Sequence, residues 1–325
     1  MTTRAKLVAT AAGTALLAVP VVWPQLLGLA GITGPAQIVA VRGVSTAAGA
    51  LLLAVLLALS LVWRSARAYV LTVAAVVATA TSFSAAVVAV RGLHDDPGGV
   101  GERPDDLRVL TFNTSRDNVA ARDVAELVGR HDADVVVLPE TSRATADEVA
   151  GIAGDYQVFD HTVGAGVTSA TSLLIADDLG RYNAPEPYAA GALGSFTVRP
   201  DSAAAPPITA VHAYPPGAGS MQRWRADTAW AVRRCAGVEG AVVAGDFNAT
   251  LDHPAFAHRG HCVDAADARD AAAVGTWPTT WPAWAGAPID HVLVDGRAWD
   301  VVSFSVLDAV GASDHRPVLA VLRRR

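Results

Sequence analysis

The first 94 residues contain three long apolar runs and no acidic side chain. The runs cover about residues 7–30, 44–63 and 69–90, and each has the roughly 20 residues that a helix needs to cross the hydrocarbon core of a bilayer. We therefore expect residues 1–94 to form a membrane anchor with three transmembrane helices. A signal peptide followed by buried helices is the alternative, but a cleaved peptide would account for only one of the runs.

The basic residues of this anchor predict its orientation. With three spans, one side of the membrane carries Arg4, Lys6, Arg64 and Arg67, and the other side carries Arg42 and Arg91. Because cytoplasmic loops are enriched in lysine and arginine, we expect the N-terminus to be cytoplasmic. The prediction is a multi-pass protein of the cell membrane whose region after the third span is extracytoplasmic.

The rest of the chain has a different composition. Residues 95–325 carry 19 basic and 31 acidic side chains, and the glycine- and proline-rich segment 95–106 is interpreted as a linker. Residues 107–325 contain many short apolar runs typical of buried strands and few amphipathic stretches typical of helices, among them 119–130 and 220–234. This pattern predicts a mixed α/β domain with two sheets and helices outside them.

Side chains that can bind metal or move protons lie at the ends of several predicted strands. They are Asn113, Glu140, His212, Asp246, Asn248, Asp290, Asp314 and His315. A carboxylate at the tip of a buried strand is costly unless it faces a cleft or an ion, and oxygen ligands favour Mg²⁺ or Mn²⁺. An aspartate beside a histidine can fix the tautomer of the imidazole and raise its basicity. Taken singly, each residue could also be a cap, a turn residue or a hydrogen-bonded polar group of the core.

The ordered set of motifs resembles the endonuclease/exonuclease/phosphatase superfamily. The matching segments are LTFN (110–113), LPE (138–140), AVHAYPP (210–216), GDFN (245–248), IDHVLV (289–294) and SDHRP (313–317). The resemblance implies a four-layer α/β sandwich of two packed mixed β-sheets flanked by helices, here preceded by the three transmembrane helices. It also implies hydrolysis of a phosphoester or phosphoanhydride with a divalent metal, Mg²⁺ or Mn²⁺.

The resemblance also implies roles for the residues at the strand ends. Glu140 and Asn113 resemble the main metal ligands, with Asp314 nearby. His212 resembles a phosphate-binding, general-acid histidine, and Asp246 resembles the group that orients or activates the attacking water. Asn248 would hold a phosphoryl oxygen, and His315, oriented by Asp290, would contact the phosphate or act as a base. The second glutamate of some nuclease branches has no clear match in residues 168–178, which puts a second metal in doubt.

The anchor and the motifs together predict a membrane-anchored phosphohydrolase. An enzyme tethered to a bilayer meets lipid headgroups at high effective concentration, so a phospholipid or lipid-linked pyrophosphate on the outer face is the favoured substrate. Membrane-anchored bacterial relatives associated with glycopeptide resistance resemble this arrangement. The alternatives are an extracytoplasmic nuclease acting on DNA or RNA and a non-catalytic binding or scaffold protein. Apart from the bilayer and a phosphorylated substrate, the sequence indicates no obligate protein partner.

Two further groups of residues leave alternatives open. Cys235 and Cys262 both lie in the region placed outside the cytoplasm, where disulfides persist, but sequence alone does not establish their geometry. The histidines near Cys262 lack the spacing of a common zinc motif. The aromatic segment 276–284 is a loop packed over the core, a wall beside the substrate, or an edge that approaches lipid headgroups.

Overall fold

The computed structural model describes residues 2–94, 101–188 and 193–325. The helices in these residues are α1 (Thr3–Val22), α2 (Pro35–Ala40), α3 (Arg42–Val62), α4 (Arg67–Arg91), α5 (Ala121–Arg130), α6 (Arg143–Ala153), α7 (Met221–Gly237) and α8 (Ala265–Ala268). The strands are β1 (Leu107–Thr111), β2 (Val135–Pro139), β3 (Tyr156–Thr162), β4 (Ala170–Ala176), β5 (Glu186–Pro187), β6 (Phe196–Val198), β7 (Ile208–His212), β8 (Val242–Asp246), β9 (Cys262–Asp264), β10 (Asp290–Asp295), β11 (Trp299–Val306) and β12 (Val318–Arg324).

Three helices of the N-terminal region, α1, α3 and α4, are long and apolar enough to cross a membrane, and the candidate span of α4 also includes the turn that precedes this helix, from Arg64. Helix α4 packs against both α1 and α3. The first apolar run does not form a single helix, because α1 ends at Val22 and a 3₁₀ turn begins at Pro24. Proline has no N–H to continue the helix and disfavours helical geometry in the residue before it, which here is Trp23 with φ −143° and ψ 64°. The first span is therefore shorter than the apolar run.

The remaining elements form two six-stranded mixed sheets. The first has the strand order β11-β12-β1-β2-β4-β3, and the second has the order β5-β6-β7-β8-β10-β9. Within them, β1 runs parallel to β2 and β7 runs parallel to β8, whereas the other neighbours are antiparallel. Because the carboxyl ends of parallel strands meet at one edge of a sheet, each sheet collects its strand-end side chains on one side.

Alternating side chains of the two sheets build three layers of core. Val109 and Val135 of the first sheet pack with Val242 and Val292 of the second between the sheets. The opposite face of the first sheet packs on α5 and α6, and the opposite face of the second sheet packs on α7. The predicted four-layer sandwich is thus confirmed. Helix α6 was not predicted, since its apolar residues are mostly alanines with a weak helical pattern.

The two cysteines form a disulfide that joins α7 to β9. The Cα atoms of Cys235 and Cys262 are 5.4 Å apart. The sequence left open whether these two cysteines are bridged, and the structure shows that they are. Cys262 is consequently not available as a thiolate for zinc. The ring nitrogens of His253, nearby in sequence, are also occupied by hydrogen bonds. One accepts from the Thr250 N–H and the other bonds the Ala36 carbonyl. Burial lowers the pKa of His253 to about 4.

The N-terminal region docks directly on the α/β domain through one buried carboxylate. Asp252 accepts hydrogen bonds from Arg42 (2.8 Å), Arg91 (2.6 Å) and Gln25 (3.0 Å). Burial alone would raise the pKa of Asp252, but the two guanidinium groups outweigh it and lower the pKa. Asp252 therefore remains charged and ties the loops at the ends of α1, α3 and α4 to the domain.

The segment interpreted as a linker lies partly outside the described residues, which resume at Gly101. From there the chain is held on the domain rather than free of it. Asp106 is buried and pairs with Arg323 at 2.6 Å, and Glu102 pairs with Arg108 at 3.3 Å. Residues 102–106 therefore belong structurally to the domain, because their charges are paired with β1 and β12.

Candidate active site

The two sheets place their strand-end side chains at a common edge. Asn113 follows β1 and Glu140 follows β2, which are parallel neighbours in the first sheet. In the second sheet His212 and Asp246 are the last residues of parallel strands and are paired in register. Asp290 is the first residue of the antiparallel β10 and is paired with Asp246. The strand directions therefore bring residues from five parts of the chain to one cleft.

A hydrogen-bonded amide joins the two sheets across this cleft. Asn113 Nδ2 donates to Asp246 Oδ2 at 3.1 Å and lies 3.4 Å from Glu140 Oε1. His212 Nε2 lies 3.8 Å from the same Glu140 oxygen. Four of the predicted site residues are thus linked by a chain of close contacts, although Asn113 and Asp246 alone are 133 positions apart in the sequence.

Two of the site residues have the left-handed backbone conformation that non-glycine residues rarely adopt. The φ angles are 53° at Glu140 and 48° at Asn248. Asn248 is held there by its own N–H, which donates to Asp246 Oδ1 at 2.7 Å, and by its amide, which donates to the Ala213 carbonyl at 2.9 Å. Strained residues of this kind cluster at functional sites, where the surrounding structure compensates for them.

The glycine of GDFN has a steric role. Gly245 has a φ of 142°, and a Cβ at this position would clash with the carbonyl oxygen of Val211 on the neighbouring strand. Only glycine allows β8 to approach β7 so closely. The close approach sets the spacing of His212 and Asp246, the two residues with which these strands end.

His315 and Asp290 form a buried pair at the floor of the cleft. His315 Nδ1 bonds Asp290 Oδ2 at 2.9 Å, and His315 Nε2 faces Asp246 Oδ2 at 3.9 Å. Burial alone would lower the pKa of His315, but the charge of Asp290 and the hydrogen bond to it raise the pKa to about 9. Burial, and secondarily the charge of Asp290, raise the pKa of Asp246. The pair can therefore hold a proton that faces Asp246.

The two remaining titratable groups of the cleft differ in charge. Burial, together with the positive charge of His315, lowers the pKa of His212 to about 3, so that this imidazole is neutral. Burial raises the pKa of Glu140, which is only partly reached by solvent. A neutral histidine beside a carboxylate provides one hydrogen-bonding group without adding positive charge.

Asp314 lies at the rim rather than in the floor of the cleft. Its carboxylate is exposed and accepts a hydrogen bond from Trp277 Nε1 at 2.9 Å. Burial would raise its pKa, but hydrogen bonds from Trp277 and Ser115 outweigh that effect and lower it. Among the described residues, no hydrogen bond joins this carboxylate to Glu140 or Asn113, although its charge acts on the pKa of Glu140.

The profile of the Endonuclease/Exonuclease/phosphatase family matches residues 110–315, a segment that contains all eight site residues. The chain belongs to this family. Its members are metal-dependent phosphoester hydrolases, and the chain is accordingly an enzyme of that class. A comparison with curated proteins returns no match.

Solved structures of the endonuclease/exonuclease/phosphatase fold resemble the domain at low sequence identity. The family member from Bacteroides vulgatus is 20% identical with a TM-score of 0.53, and the match covers 68% of this chain and 99% of that one. TDP2 of D. rerio complexed with a single-strand DNA product is 15% identical with a TM-score of 0.53, covering 67% and 99%. A mannosyl-6-phosphatase from Bacteroides thetaiotaomicron is 16% identical with a TM-score of 0.50, covering 67% and 99%. At these identities the likeness shows the fold.

Members of the endonuclease/exonuclease/phosphatase family generally use a divalent metal, and two groups of side chains here could hold one. The predicted group is Glu140 with Asn113, and it offers oxygen donors that suit a hard cation. In the present arrangement the nitrogen of the Asn113 amide faces Glu140, while its oxygen accepts from the Ser115 N–H at 2.8 Å. Asn113 would therefore ligate a cation through its oxygen only after rotation of the amide.

The second group is Asp246, Asp290 and His315, whose potential ligand atoms all lie within 4.8 Å of one another. One buried oxygen of this group, Asp290 Oδ1, has no hydrogen-bond partner in the described part of the chain. The donor set and this unpaired oxygen fit a cation in the cleft. Because His315 Nδ1 is bonded to Asp290, Nε2 is the atom of this histidine that could either ligate a cation or exchange a proton.

Several supporting residues of the family site were not predicted. Ser195 Oγ bonds both the N–H and the carbonyl of His212. Thr276 Oγ1 accepts from the Asp290 N–H at 3.3 Å, and Ser313 Oγ donates to the Asn113 carbonyl at 2.7 Å. A single serine or threonine cannot be recognised as part of a site from the sequence alone. Of these three residues, only Ser313 lies inside one of the motifs named above.

Proposed function

We propose that this protein is a membrane-anchored phosphohydrolase that cleaves a phosphoester or phosphoanhydride of a membrane lipid or lipid-linked pyrophosphate. The supporting observation is that the N-terminal region docks on the same edge of the domain as the cleft. Gln37 bonds the Pro216 carbonyl in the loop after β7, and Arg42 and Arg91 bond Asp252 in the loop after β8. These loops leave the strands that end in His212 and Asp246. The cleft consequently opens near the ends of the helices that could span the membrane.

The residues of the cleft can be assigned to the steps of phosphoryl transfer. Asp246 orients and deprotonates the attacking water, since a raised pKa brings this carboxylate closer to neutral pH, where a general base is most effective. Asn248 and His212 hold phosphoryl oxygens, and His315, oriented by Asp290, contacts the phosphate and exchanges a proton. A divalent cation at Glu140, Mg²⁺ or Mn²⁺, would offset the charge that develops on the phosphoryl group.

The scarcity of free arginines around the cleft favours a lipid over a nucleic acid. Arg116 is exposed and lies 4.0 Å from Glu140, but other arginines of this region bond groups within the protein. Arg316 donates to four backbone carbonyls, Arg225 bonds the Gly31 carbonyl, and Arg143 pairs with Asp147 and Asp160. These guanidinium groups are occupied within the protein, and the domain carries more acidic than basic side chains. A duplex or single strand usually binds to a continuous basic footprint.

Two observations support a cleft outside the cytoplasm. The domain contains a disulfide between Cys235 and Cys262, and disulfides persist in oxidising compartments outside the cytoplasm. The basic residues of the anchor agree with this orientation, since four (Arg4, Lys6, Arg64 and Arg67) lie on the side proposed as cytoplasmic and two (Arg42 and Arg91) on the other.

The function is tested by incubating the full chain in phospholipid nanodiscs with three substrates: sphingomyelin, a polyprenyl pyrophosphate and plasmid DNA. We expect one of the two lipids to be hydrolysed with Mg²⁺, and hydrolysis to stop when a chelator is added. The His315→Ala variant, prepared in the same way, controls for a contaminating hydrolase. Cleavage of DNA alone would establish the nuclease alternative, and a lack of turnover on all three would favour a binding or scaffold protein.

A further inference from the structure

The segment between Thr276 and Gly286, here called the tryptophan loop, exposes three large aromatic side chains. The exposed fractions are 38% for Trp277, 43% for Trp281 and 50% for Trp284. The other tryptophans of the α/β domain are buried, at 0% for Trp224, 9% for Trp230 and 6% for Trp299. Aromatic rings exposed together on one loop of a domain that otherwise buries them indicate a surface for an apolar or interfacial partner.

The tryptophan loop is fixed to the motif that carries His315. The Arg316 guanidinium donates to the carbonyls of Gly275 (3.4 Å), Pro278 (3.3 Å), Thr279 (3.1 Å) and Trp281 (2.7 Å). The Arg316 N–H adds a bond to the Thr276 carbonyl at 2.8 Å. Hydrogen bonds from a charged donor are stronger than those between neutral groups. The three rings are therefore exposed on a loop whose backbone is held by five hydrogen bonds from Arg316.

The ends of the tryptophan loop connect the cleft with the start of a membrane helix. At one end Trp277 Nε1 donates to Asp314 at the rim of the cleft. At the other end the backbone of Trp284 lies against Gly43, and a Cβ on Gly43 would clash with the Trp284 carbonyl oxygen. Gly43 follows Arg42, the first residue of α3, so Trp284 lies beside the point where this helix begins.

We propose that the tryptophan loop is a membrane-contact surface, which places the rings of Trp281 and Trp284 in the headgroup layer of the bilayer that α3 enters. Indole rings have an apolar body and a polar N–H, and they concentrate at this depth of a membrane. The contact is continuous with the docked helices, because Trp284 already touches α3. It gives a lipid phosphate a path along the loop from Trp284 to Trp277 and into the cleft.

This surface deepens the proposed function and rests on its membrane anchoring, but it does not depend on which substrate is cleaved. The test uses tryptophan fluorescence of the full chain in nanodiscs made with lipids brominated on the acyl chains near the headgroup. Bromine quenches indoles only at close range. We expect Trp23 and Trp63, at the ends of α1 and α3, to be quenched together with Trp281 and Trp284.

A double variant, Trp281→Phe with Trp284→Phe, should lose roughly half of the quenchable emission, because two of four interfacial indoles remain. The matched control is Trp299→Phe, which removes a buried indole bonded to the Gly240 carbonyl. It should lower the unquenched emission and leave the quenchable part unchanged. Equal quenchable emission in the double variant and the wild type would overturn the proposal. Because no turnover is measured, this failure is separate from a failure to hydrolyse lipids.

Discussion

Two histidine–aspartate pairs lie on opposite faces of β10, and they differ in how many of the ring nitrogens are bonded. Asp290 faces the cleft and bonds His315, while the next residue, His291, faces the helix-covered side and bonds Asp264 at 2.6 Å. All four residues are buried. Burial and a carboxylate partner therefore do not distinguish a reactive pair from one that only supports the fold.

The distinguishing feature is the second nitrogen of each ring. His291 Nε2 bonds the Ala249 carbonyl at 2.8 Å, so both nitrogens face acceptors and the ring is held as an imidazolium between Phe247 and Phe256. In the part of the chain that the structure describes, His315 Nε2 makes no hydrogen bond, and the Asp246 carboxylate lies 3.9 Å from it. A nitrogen without a hydrogen-bond partner that faces a cleft can exchange a proton with a substrate, whereas a nitrogen bonded to a backbone carbonyl cannot.

The largest effect is expected from His315→Ala. Loss of a group that exchanges a proton with the substrate typically lowers the rate by about 10²–10⁴-fold. The unfolding midpoint should also fall, because the ring is buried and its loss leaves the Asp290 carboxylate without its partner, but the variant should keep the fold. Turnover of the lipid substrate and circular dichroism, measured on the same preparation, check both statements. Near-normal activity would show that the pair of His315 and Asp290 is structural like its neighbour.

Asp246→Asn tests the residue that faces His315 Nε2. The amide keeps the shape of the side chain, and its oxygen can still accept from the Asn248 N–H. Its NH2 group cannot accept from the Asn113 and Asn248 amides as the Asp246 carboxylate does, and it cannot accept a proton from water. We expect a loss of activity similar to that of His315→Ala, again about 10²-fold or more. The double variant should be hardly worse than either single variant, since the two residues act in one step. Additive losses would place them in separate steps.

His291→Ala should affect stability rather than turnover. Removing one partner of a buried ion pair leaves Asp264 uncompensated, which costs about 3 kcal/mol or more of unfolding free energy. The urea unfolding curve should shift to lower denaturant, while the turnover rate per folded molecule stays within about twofold of wild type, since the ring does not face the cleft. A large loss of turnover in the folded variant would contradict the division between the two faces of β10.

Glu140→Gln should give a smaller and partly reversible loss. If this carboxylate holds the cation, the variant binds Mg²⁺ or Mn²⁺ more weakly and excess metal restores part of the rate. A metal titration of activity compares it with Asp246→Asn and His315→Ala, which excess metal should not rescue. Equal rescue of all three variants would show that ligands and proton-transferring groups have been divided wrongly.

The smallest effect is a pH dependence of stability that belongs to the His291–Asp264 pair. Burial alone would lower the pKa of His291 and raise that of Asp264, but the mutual charge reverses both shifts. A raised histidine pKa contributes stability that is complete below the unfolded pKa, about 6.5, and is lost at higher pH. A lowered aspartate pKa contributes stability that is present above about 3.9 and is lost at lower pH. The difference in unfolding free energy between wild type and His291→Ala should therefore be largest between about pH 4 and 6.5, and a flat difference would disprove the linkage.

The fold and most of the cleft could be predicted because their signals are local. GDFN and SDHRP place Asp246 and His315 by short motifs, and strand direction then brings them together. The two pairs on β10 could not be separated in this way, because the partner of His291 is Asp264, which lies 27 residues away with no motif. Arg42 and Asp252 are 210 residues apart in the sequence, and no motif around either residue indicates that they bond each other. Contacts made by single side chains between distant segments are visible only in the folded chain.

The Asp252 junction also constrains the order in which the protein matures. Arg91 precedes Asp252 by 161 residues, so at roughly 5–20 residues per second the ribosome delivers the carboxylate on the order of ten seconds after both guanidinium groups. In the membrane-anchored protein proposed above, lipid phosphates are the anions available to Arg42 and Arg91 during that interval, and Asp252 would displace them. Docking of the domain is therefore an exchange of counterions, and it completes the anchor only after β8 and the loop that follows it have folded.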